Sequence, residues 1–99
     1  MKPPILDEVT AAHVAELFRA FSDTSRVRIL SVIMDQEMNI SALAGLLGVT
    51  ESAVSHQMRG LRQMRLVHMR REGKEVYYRV DDSHLIALFQ QGVRHVQEE

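Results

Sequence analysis

The sequence predicts a mainly α-helical domain that carries one β-hairpin, an α+β fold with the element order α-α-α-α-β-β-α. Three observations predict it. Apolar residues recur at helical spacing over most of the chain, and a glycine separates two short helical segments near its middle. After Leu66 the pattern changes to strict alternation around a glycine-containing turn, before a last helical segment.

The first two helices follow from spaced apolar residues and polar capping residues. The first is expected over about residues 7–20, with acidic side chains in its first turn. The second is capped by Ser22 or Asp23 and ends near Asp35. Its two arginines are expected to point outward: Arg26 and Arg28.

The middle of the chain has a helix-turn-helix pattern. Asn39 or Ser41 opens a third helix, and Gly48 ends it because glycine suits a left-handed cap. Thr50 then caps a fourth helix at once. The predicted buried stripe of this fourth helix is Val54, Met58, Leu61 and Met64.

A hairpin and one more helix complete the chain. Val67, Met69 and Arg71 alternate with their neighbours, and Glu72-Gly73-Lys74 supplies the turn. A hairpin directly after a helix-turn-helix is a wing, so the prediction is a winged helix-turn-helix fold. Asp81 or Asp82 caps the last helix, which is expected over 81–98 with Gly92 inside it.

Length and composition bound the function. The 99 residues form one predicted domain, 1–99, with residues 1–6 expected to be frayed and no room for a separate catalytic domain. The absence of cysteine excludes disulfides, thiolate metal sites and cysteine nucleophiles. No stretch is apolar enough for a signal peptide or a membrane span, so a cytoplasmic protein without a membrane partner is expected.

Charge is unevenly distributed along the chain. Residues 50–75 carry six basic and three acidic side chains, whereas the rest of the chain carries six basic and ten acidic ones. The basic segment coincides with the fourth helix and the hairpin, as a surface that follows phosphates requires. We therefore predict double-stranded DNA as a partner.

Recognition helices read bases from their N-terminal residues, and arginines farther along hold the backbone. The wing adds a basic cluster that can reach an adjacent groove or phosphate. The residues predicted to contact DNA are Thr50, Glu51, Ser52, Ser55, His56, Gln57, Arg59, Arg62, Arg70, Arg71 and Lys74.

Several phrases resemble the ArsR/SmtB family of metal-responsive repressors. They are Ser55-His56-Gln57 with Leu61 downstream, the hairpin Arg71-Glu72-Gly73-Lys74-Glu75-Val76-Tyr77-Tyr78, and Phe21-Ser22-Asp23 followed by Arg26. The resemblance extends from about Ala15 to Glu98. It implies a winged-helix homodimer that binds an imperfect inverted repeat and leaves DNA when its inducer binds.

The last helix contains two pairs of possible metal ligands, Asp82 with His84 and His95 with Glu98. Eleven residues separate the histidines, which places them about 20° apart around a helix and about 16 Å apart along it. One helix cannot bring both to one ion. Two antiparallel copies of the helix could, and two imidazoles with two carboxylates suit tetrahedral Zn²⁺, with Co²⁺ as a substitute.

A plainer interpretation makes Asp82 an N-cap and the other three residues ordinary surface side chains. The resemblance favours the metal site, because the zinc-sensing branch of the family is similar in carrying Asp-x-His and His-x-x-Glu or His-x-x-His at these positions. The predicted function is a zinc-released transcriptional repressor of metal homeostasis. We also expect His95 to pass the signal to the backbone near Met64 and Arg65.

Other functions remain open from the sequence. The same scaffold could sense cobalt or nickel, or it could be an architectural DNA-binding protein without an inducer. A zinc hydrolase is disfavoured because four protein ligands leave no open coordination position. The chain is therefore not expected to be an enzyme.

Overall fold

A computed structural model describes residues 2–98, and its elements follow the predicted order. The five helices are α1 (Glu8–Arg19), α2 (Thr24–Ile33), α3 (Ile40–Leu47), α4 (Glu51–Gln63) and α5 (Ser83–Gln97). The hairpin strands are β1 (His68–Glu72) and β2 (Glu75–Arg79). Residues 2–6 form neither helix nor strand, and Met1 and Glu99 lie outside the described residues.

Each helix begins at a polar side chain that accepts a hydrogen bond from the first turn. The five N-caps are Asp7, Asp23, Asn39, Thr50 and Asp82. Such a bond satisfies a backbone N–H that has no partner inside the helix. For α2, α3 and α5 the sequence allowed two caps each, and the structure selects Asp23, Asn39 and Asp82.

The core is formed by α2, α3 and α4 together with the hairpin. Leu30, Leu43 and Leu61 are completely buried there, and Tyr78 of β2 closes the core from the hairpin side. The buried stripe of α4 is shorter than predicted: Met64 is the C-cap and is only half-buried, because the helix has ended where the core ends.

The hairpin is a two-stranded antiparallel sheet joined to the helical core by a third segment. Glu72 pairs with Glu75, so the turn consists of Gly73 and Lys74, and the positive φ of Gly73 suits a tight hairpin turn. Met38, between α2 and α3, forms an isolated antiparallel bridge with Tyr78 through hydrogen bonds of 2.8 and 3.0 Å. This bridge fixes the hairpin against the helix-turn-helix.

Arg26 differs from its predicted outward position. Its Nη2 donates to the carbonyl oxygen of Arg19 at 2.8 Å, so the side chain lies half-buried against the end of α1. The last carbonyls of a helix lack partners inside it, and a guanidinium there satisfies one of them. Arg28 is exposed, as predicted.

The described chain is extended for its size. Its Cα radius of gyration is 15.5 Å, against about 13 Å for an ordinary domain of this length. The solvent-accessible surface is 7451 Å², roughly 1,700 Å² more than a folded monomer of this mass exposes. Within residues 2–98, no helix is both long enough and apolar enough to cross a membrane.

Candidate functional site

The helix-turn-helix is held in shape by local contacts at its turn. Gly48 adopts the left-handed conformation, with φ 70° and ψ 34°, and ends α3. Two residues later Thr50 Oγ1 accepts a hydrogen bond of 3.0 Å from the N–H of Ala53 and begins α4. Because Val54 and Met58 anchor one face of α4 in the core, the opposite face is turned to solvent.

The outward face of α4 is polar and basic. The predicted DNA-contacting residues that are exposed on it or at its cap are Thr50, Glu51, Ser52, His56, Arg59 and Arg62. Ser55 and Gln57 are half-buried. The first two turns therefore present hydroxyl, imidazole and carboxylate groups, and the two arginines follow one and two turns later. This is the arrangement that a major-groove helix needs.

The wing divides its three predicted contact residues into two groups. Arg71 and Lys74 are exposed, and no carboxylate in residues 2–98 forms an ion pair with either. The guanidinium of Arg70 instead donates to both oxygens of Glu37 and to Glu72, with 2.7 Å as the shortest distance in each pair. Of these three wing residues, only Arg71 and Lys74 therefore offer a charge that is unpaired within residues 2–98.

Glu37 holds the wing to the segment between α2 and α3. Because Arg70 donates to it, the pKa of the Glu37 carboxyl is lowered from its usual value. The same bonds raise the pKa of Arg70. Arg70 also stacks over the Tyr77 ring, with its guanidinium carbon 4.8 Å from the ring centroid. The wing is thus fixed by side chains as well as by the Met38 bridge.

Asn39 adds a second connection between the wing and the helix-turn-helix. Its Oδ1 caps α3 by accepting from Ala42 N at 2.7 Å, and its Nδ2 donates to Glu75 at 3.1 Å. The sequence indicated the cap but not the contacts of Glu37, Met38 and Asn39 with the wing. Those contacts join residues more than 30 positions apart, and no local pattern marks them.

The structure brings together one of the two predicted pairs of metal ligands. Asp82 Oδ1 caps α5 by accepting from the N–H groups of His84 and Leu85, and it lies 3.7 Å from His84 Nδ1. The His84 side chain is fully exposed. The plain capping role of Asp82 is therefore real, and it leaves the imidazole beside it free for a ligand.

The second predicted pair is at the other end of α5. His95 lies in its last turn, whereas Glu98 has left the helix with extended backbone, φ −84° and ψ 133°. The N–H of Glu98 still donates to the carbonyl oxygen of Arg94 at 2.9 Å, so Glu98 is the residue at which α5 ends, three positions after His95. In the described part of one chain, no three histidine or carboxylate side chains gather closely enough to hold a metal. This agrees with the sequence-based expectation that His84 and His95 lie about 16 Å apart along α5, since a helix rises about 1.5 Å per residue.

An apolar groove runs between α1 and α5. It has a volume of about 640 Å³, and Phe18, Phe21, Phe89, Val93 and Val96 line it. Gly92 and His95 also border the groove. Half of the Phe18 surface is exposed, and α1 has no buried residue. The groove therefore lies between α5, which carries the candidate ligands, and the exposed apolar side of α1.

These features define a winged-helix DNA-binding regulator. The family model described as "Bacterial regulatory protein, arsR family" matches residues 23–69. The chain is 42% identical over 98 residues to the transcriptional repressor SmtB homolog of Synechocystis sp., an alignment that spans 99% of this chain and 74% of that protein. It is 34% identical over 86 residues to the cadmium resistance transcriptional regulatory protein CadC homolog of Staphylococcus aureus, spanning 86% of this chain and 71% of that protein.

The crystal structure of the AntR antimony-specific transcriptional repressor has the same fold, with a TM-score of 0.86 and 22% identity over 98% of this chain and 88% of that one. The chain belongs to the ArsR/SmtB family of bacterial transcriptional regulators. The resemblance seen in the sequence motifs is thereby confirmed. Its relatives are transcriptional regulators and not enzymes, which confirms that prediction as well.

Proposed function

We propose that this chain is a metal-responsive repressor that binds an operator inverted repeat as a homodimer and is released by Zn²⁺ held between the two α5 helices. The observation that carries the proposal is the outward face of α4. It is fixed by a buried stripe on its other side, it is polar in its first turns, and it is flanked by a basic wing. The relatives named as transcriptional repressor and cadmium resistance regulator support this function.

For DNA binding, α4 enters the major groove with its N-terminal end. Ser52, Ser55, His56 and Gln57 face base edges, and Arg59 and Arg62 face phosphates. Thr50 and Glu51 lie at the entry of the helix into the groove. Arg71 and Lys74 at the wing contact the flanking backbone. Arg70 can contact a phosphate only if it gives up its hydrogen bonds to Glu37, so its main role in this proposal is to orient the wing.

A second copy of this chain covers the groove between α1 and α5. A stable interface buries about 800 Å² on each partner, and this chain exposes roughly twice that area beyond the expectation for its mass. Part of this surface is apolar, since Phe18, Val93 and Val96 are exposed along the groove, and a contiguous exposed apolar patch marks an association site. Gly92 borders the groove with open space around its Cα, which allows the close approach of a partner helix.

The candidate ligands suit a metal shared by two chains. Asp82 and His84 lie at the start of α5, and His95 and Glu98 lie at its end, so only an antiparallel partner helix brings the two pairs together. Two imidazoles and two carboxylates match the donors that Zn²⁺ accepts. Asp82 caps α5 through Oδ1, and a carboxylate has a second oxygen for a metal. When bound, the ion supplies positive charge that links one α5 to the other.

Linking the two α5 helices fixes the distance between the two α4 helices, and half-site spacing on DNA is strict. Metal and DNA then influence each other's affinity by the same factor. In this proposal the chain works in the cytoplasm, where the operator is.

Fluorescence anisotropy on the DNA upstream of the protein's own gene, first with a chelator and then with stoichiometric Zn²⁺, tests the proposal at fixed salt. Tight binding in chelator that weakens at least about tenfold with Zn²⁺, or 1.4 kcal/mol of coupling, is expected. No binding to this DNA or to any operator-like repeat would reject a DNA-binding function. DNA binding unchanged by Zn²⁺ would reject zinc release. In the same titration with Co²⁺ and Ni²⁺, weakened DNA binding would then identify another inducing metal, and unchanged binding would favour an architectural DNA-binding protein.

Variants of the ligands sharpen the metal part of the test. Asp82→Ser removes the carboxylate but retains a side chain that caps a helix, so α5 should keep its stability while Zn²⁺ affinity falls by at least about tenfold. His84→Asn and His95→Asn should do the same. His13→Asn is the matched control, because His13 is an exposed histidine on α1 outside the candidate site. If all three ligand variants bind Zn²⁺ as tightly as the wild type and the His13→Asn control, the metal is bound elsewhere.

A further inference from the structure

Helix α2 shares a surface seam with the candidate reading helix. Ser25 and Arg28 of α2 line the same shallow cavity as His56 and Gln57 of α4, and Val49 of the turn also lines it. The predicted interface consists of α4 and the wing alone, so this side of α2 has no role in it. The seam places a hydroxyl and a guanidinium directly beside the polar first turns of α4.

The charge of Arg28 is available for a partner. Arg28 is exposed, and within residues 2–98 its side chain forms no ion pair and no hydrogen bond. Its backbone carbonyl does accept from Ser31 Oγ at 2.6 Å, which belongs to the helix rather than to the seam. The contrast with Arg26 and Arg70 is clear, since the side chains of both are bonded within the protein.

We propose that Ser25 and Arg28 form a third DNA contact, to the phosphate backbone beside the groove that α4 enters. The inference rests on the proposed function. The seam measures about 140 Å³, whereas cavities that bind small molecules are about 300–1,000 Å³. It is therefore a junction between helices and not a ligand pocket. An unpaired guanidinium next to a hydroxyl is a common donor set for phosphate oxygens.

A phosphate contact has a signature that a base contact lacks. Each neutralised phosphate releases counterions, so the slope of log affinity against log salt changes by about one for each contact. The loss is uniform over DNA sequences. Arg28 should therefore contribute to binding of the operator and of random DNA alike.

The first test measures anisotropy of the full chain on the upstream duplex and on a random duplex of equal length, at several salt concentrations. Arg28→Ala should lower affinity for both duplexes by about tenfold and reduce the salt slope by about one per protomer. Arg28→Lys should recover most of the slope because it restores the charge. Arg19→Ala is the control: it removes an exposed charge at the end of α1, away from the seam.

A second test adds negative charge without weakening the fold. Ser25 lies in the first turn of α2, where an acidic side chain is favourable to the helix. Ser25→Asp should therefore keep or raise the unfolding midpoint. It should lower affinity for both duplexes by more than about tenfold, because the new carboxylate would repel the phosphate that it faces. Thr10→Asp adds the same charge to the first turn of α1, at an exposed position outside the seam, and should leave DNA affinity unchanged.

The outcomes separate the two proposals. If the wild-type chain binds DNA and Arg28→Ala retains the wild-type affinity and salt slope, the α2 contact is wrong and the proposed function stands. If Ser25→Asp and Thr10→Asp weaken binding equally, the effect is general charge and the contact is again wrong. If the wild-type chain binds neither duplex, the proposed function fails and this contact fails with it.

Discussion

Two regions of the molecule differ in how well they are packed. In the first, α2, α3, α4 and the wing surround a set of completely buried side chains, and three backbone or side-chain connections attach the wing. In the second, Phe21, two residues after α1 ends, contacts Phe89 of α5, with their ring centroids 5.9 Å apart. Helix α1 buries no residue, and α5 buries only Leu85.

The difference indicates which part of the fold one chain can complete. The first region buries its apolar residues internally, so its geometry is determined by the single chain. The second region leaves its apolar faces in water, and such faces gain free energy when a partner covers them. The predictions below test this contrast from the largest expected effect to the smallest.

The largest effect is expected in the packed core. Leu30 is completely buried between the helices of the first region. Leu30→Ala should lower the free energy of unfolding by about 3 kcal/mol, since it removes buried methyl groups and leaves a cavity. Urea unfolding at two protein concentrations measures this. A loss below about 1 kcal/mol would mean that the core is loosely packed and the contrast between the regions is wrong.

The next effect concerns the groove between α1 and α5. Phe18→Asp should weaken self-association by more than about a hundredfold, because it places a charge in an apolar interface, and should leave helical content unchanged. Sedimentation velocity and far-ultraviolet circular dichroism measure the two quantities. Leu46→Asp is the control, since Leu46 is an exposed leucine on α3 outside the groove. A Phe18→Asp protein that associates like the wild type would show that the second copy packs elsewhere.

A smaller effect is expected at the end of α4. Arg65 has φ 60°, and the N–H of Leu66 donates to the carbonyl of Leu61 at 3.1 Å. Helix α4 therefore ends in a Schellman motif, in which glycine normally occupies the left-handed position that Arg65 has here. Arg65→Gly should raise the free energy of unfolding by about 1 kcal/mol because it relieves the left-handed strain. Thermal unfolding measures the change, and Arg62→Gly, inside the helix, should instead destabilise by about as much. Destabilisation by Arg65→Gly would contradict this explanation.

The smallest effect is the pH dependence of the wing. The pKa of Glu37 is lowered in the folded chain by the hydrogen bonds from Arg70. The ion pair therefore stabilises the fold above the ordinary carboxyl value of 4.5, and this contribution is lost as the pH falls through the lower folded value. The wild type and Glu37→Gln should differ slightly in melting temperature at pH 7, and the difference should shrink as the pH is lowered below 4.5. A difference that grows on acidification would have the wrong sign and would exclude this explanation.

The sequence by itself determined the element order and the capping chemistry. Helix starts, the Gly48 turn and the Gly73 hairpin depend on neighbouring residues, so local patterns were enough to predict them. The same holds for the exposed polar face of α4, because helical periodicity fixes which side chains lie opposite the buried stripe. The candidate metal ligands were visible as pairs, since their spacing along one helix is a sequence property.

Tertiary structure alone decided how distant side chains are used. The sequence predicted Arg26 outward, yet it lies against the end of α1. It predicted Arg70 as a DNA-contacting residue of the wing but did not show its bond to Glu37, 33 positions away. Met38 joins the sheet for the same reason, through a bridge to Tyr78. A long charged side chain has many accessible rotamers, and only the packed neighbours determine which acceptor it meets. The seam between α2 and α4 likewise exists only once the helices pack together.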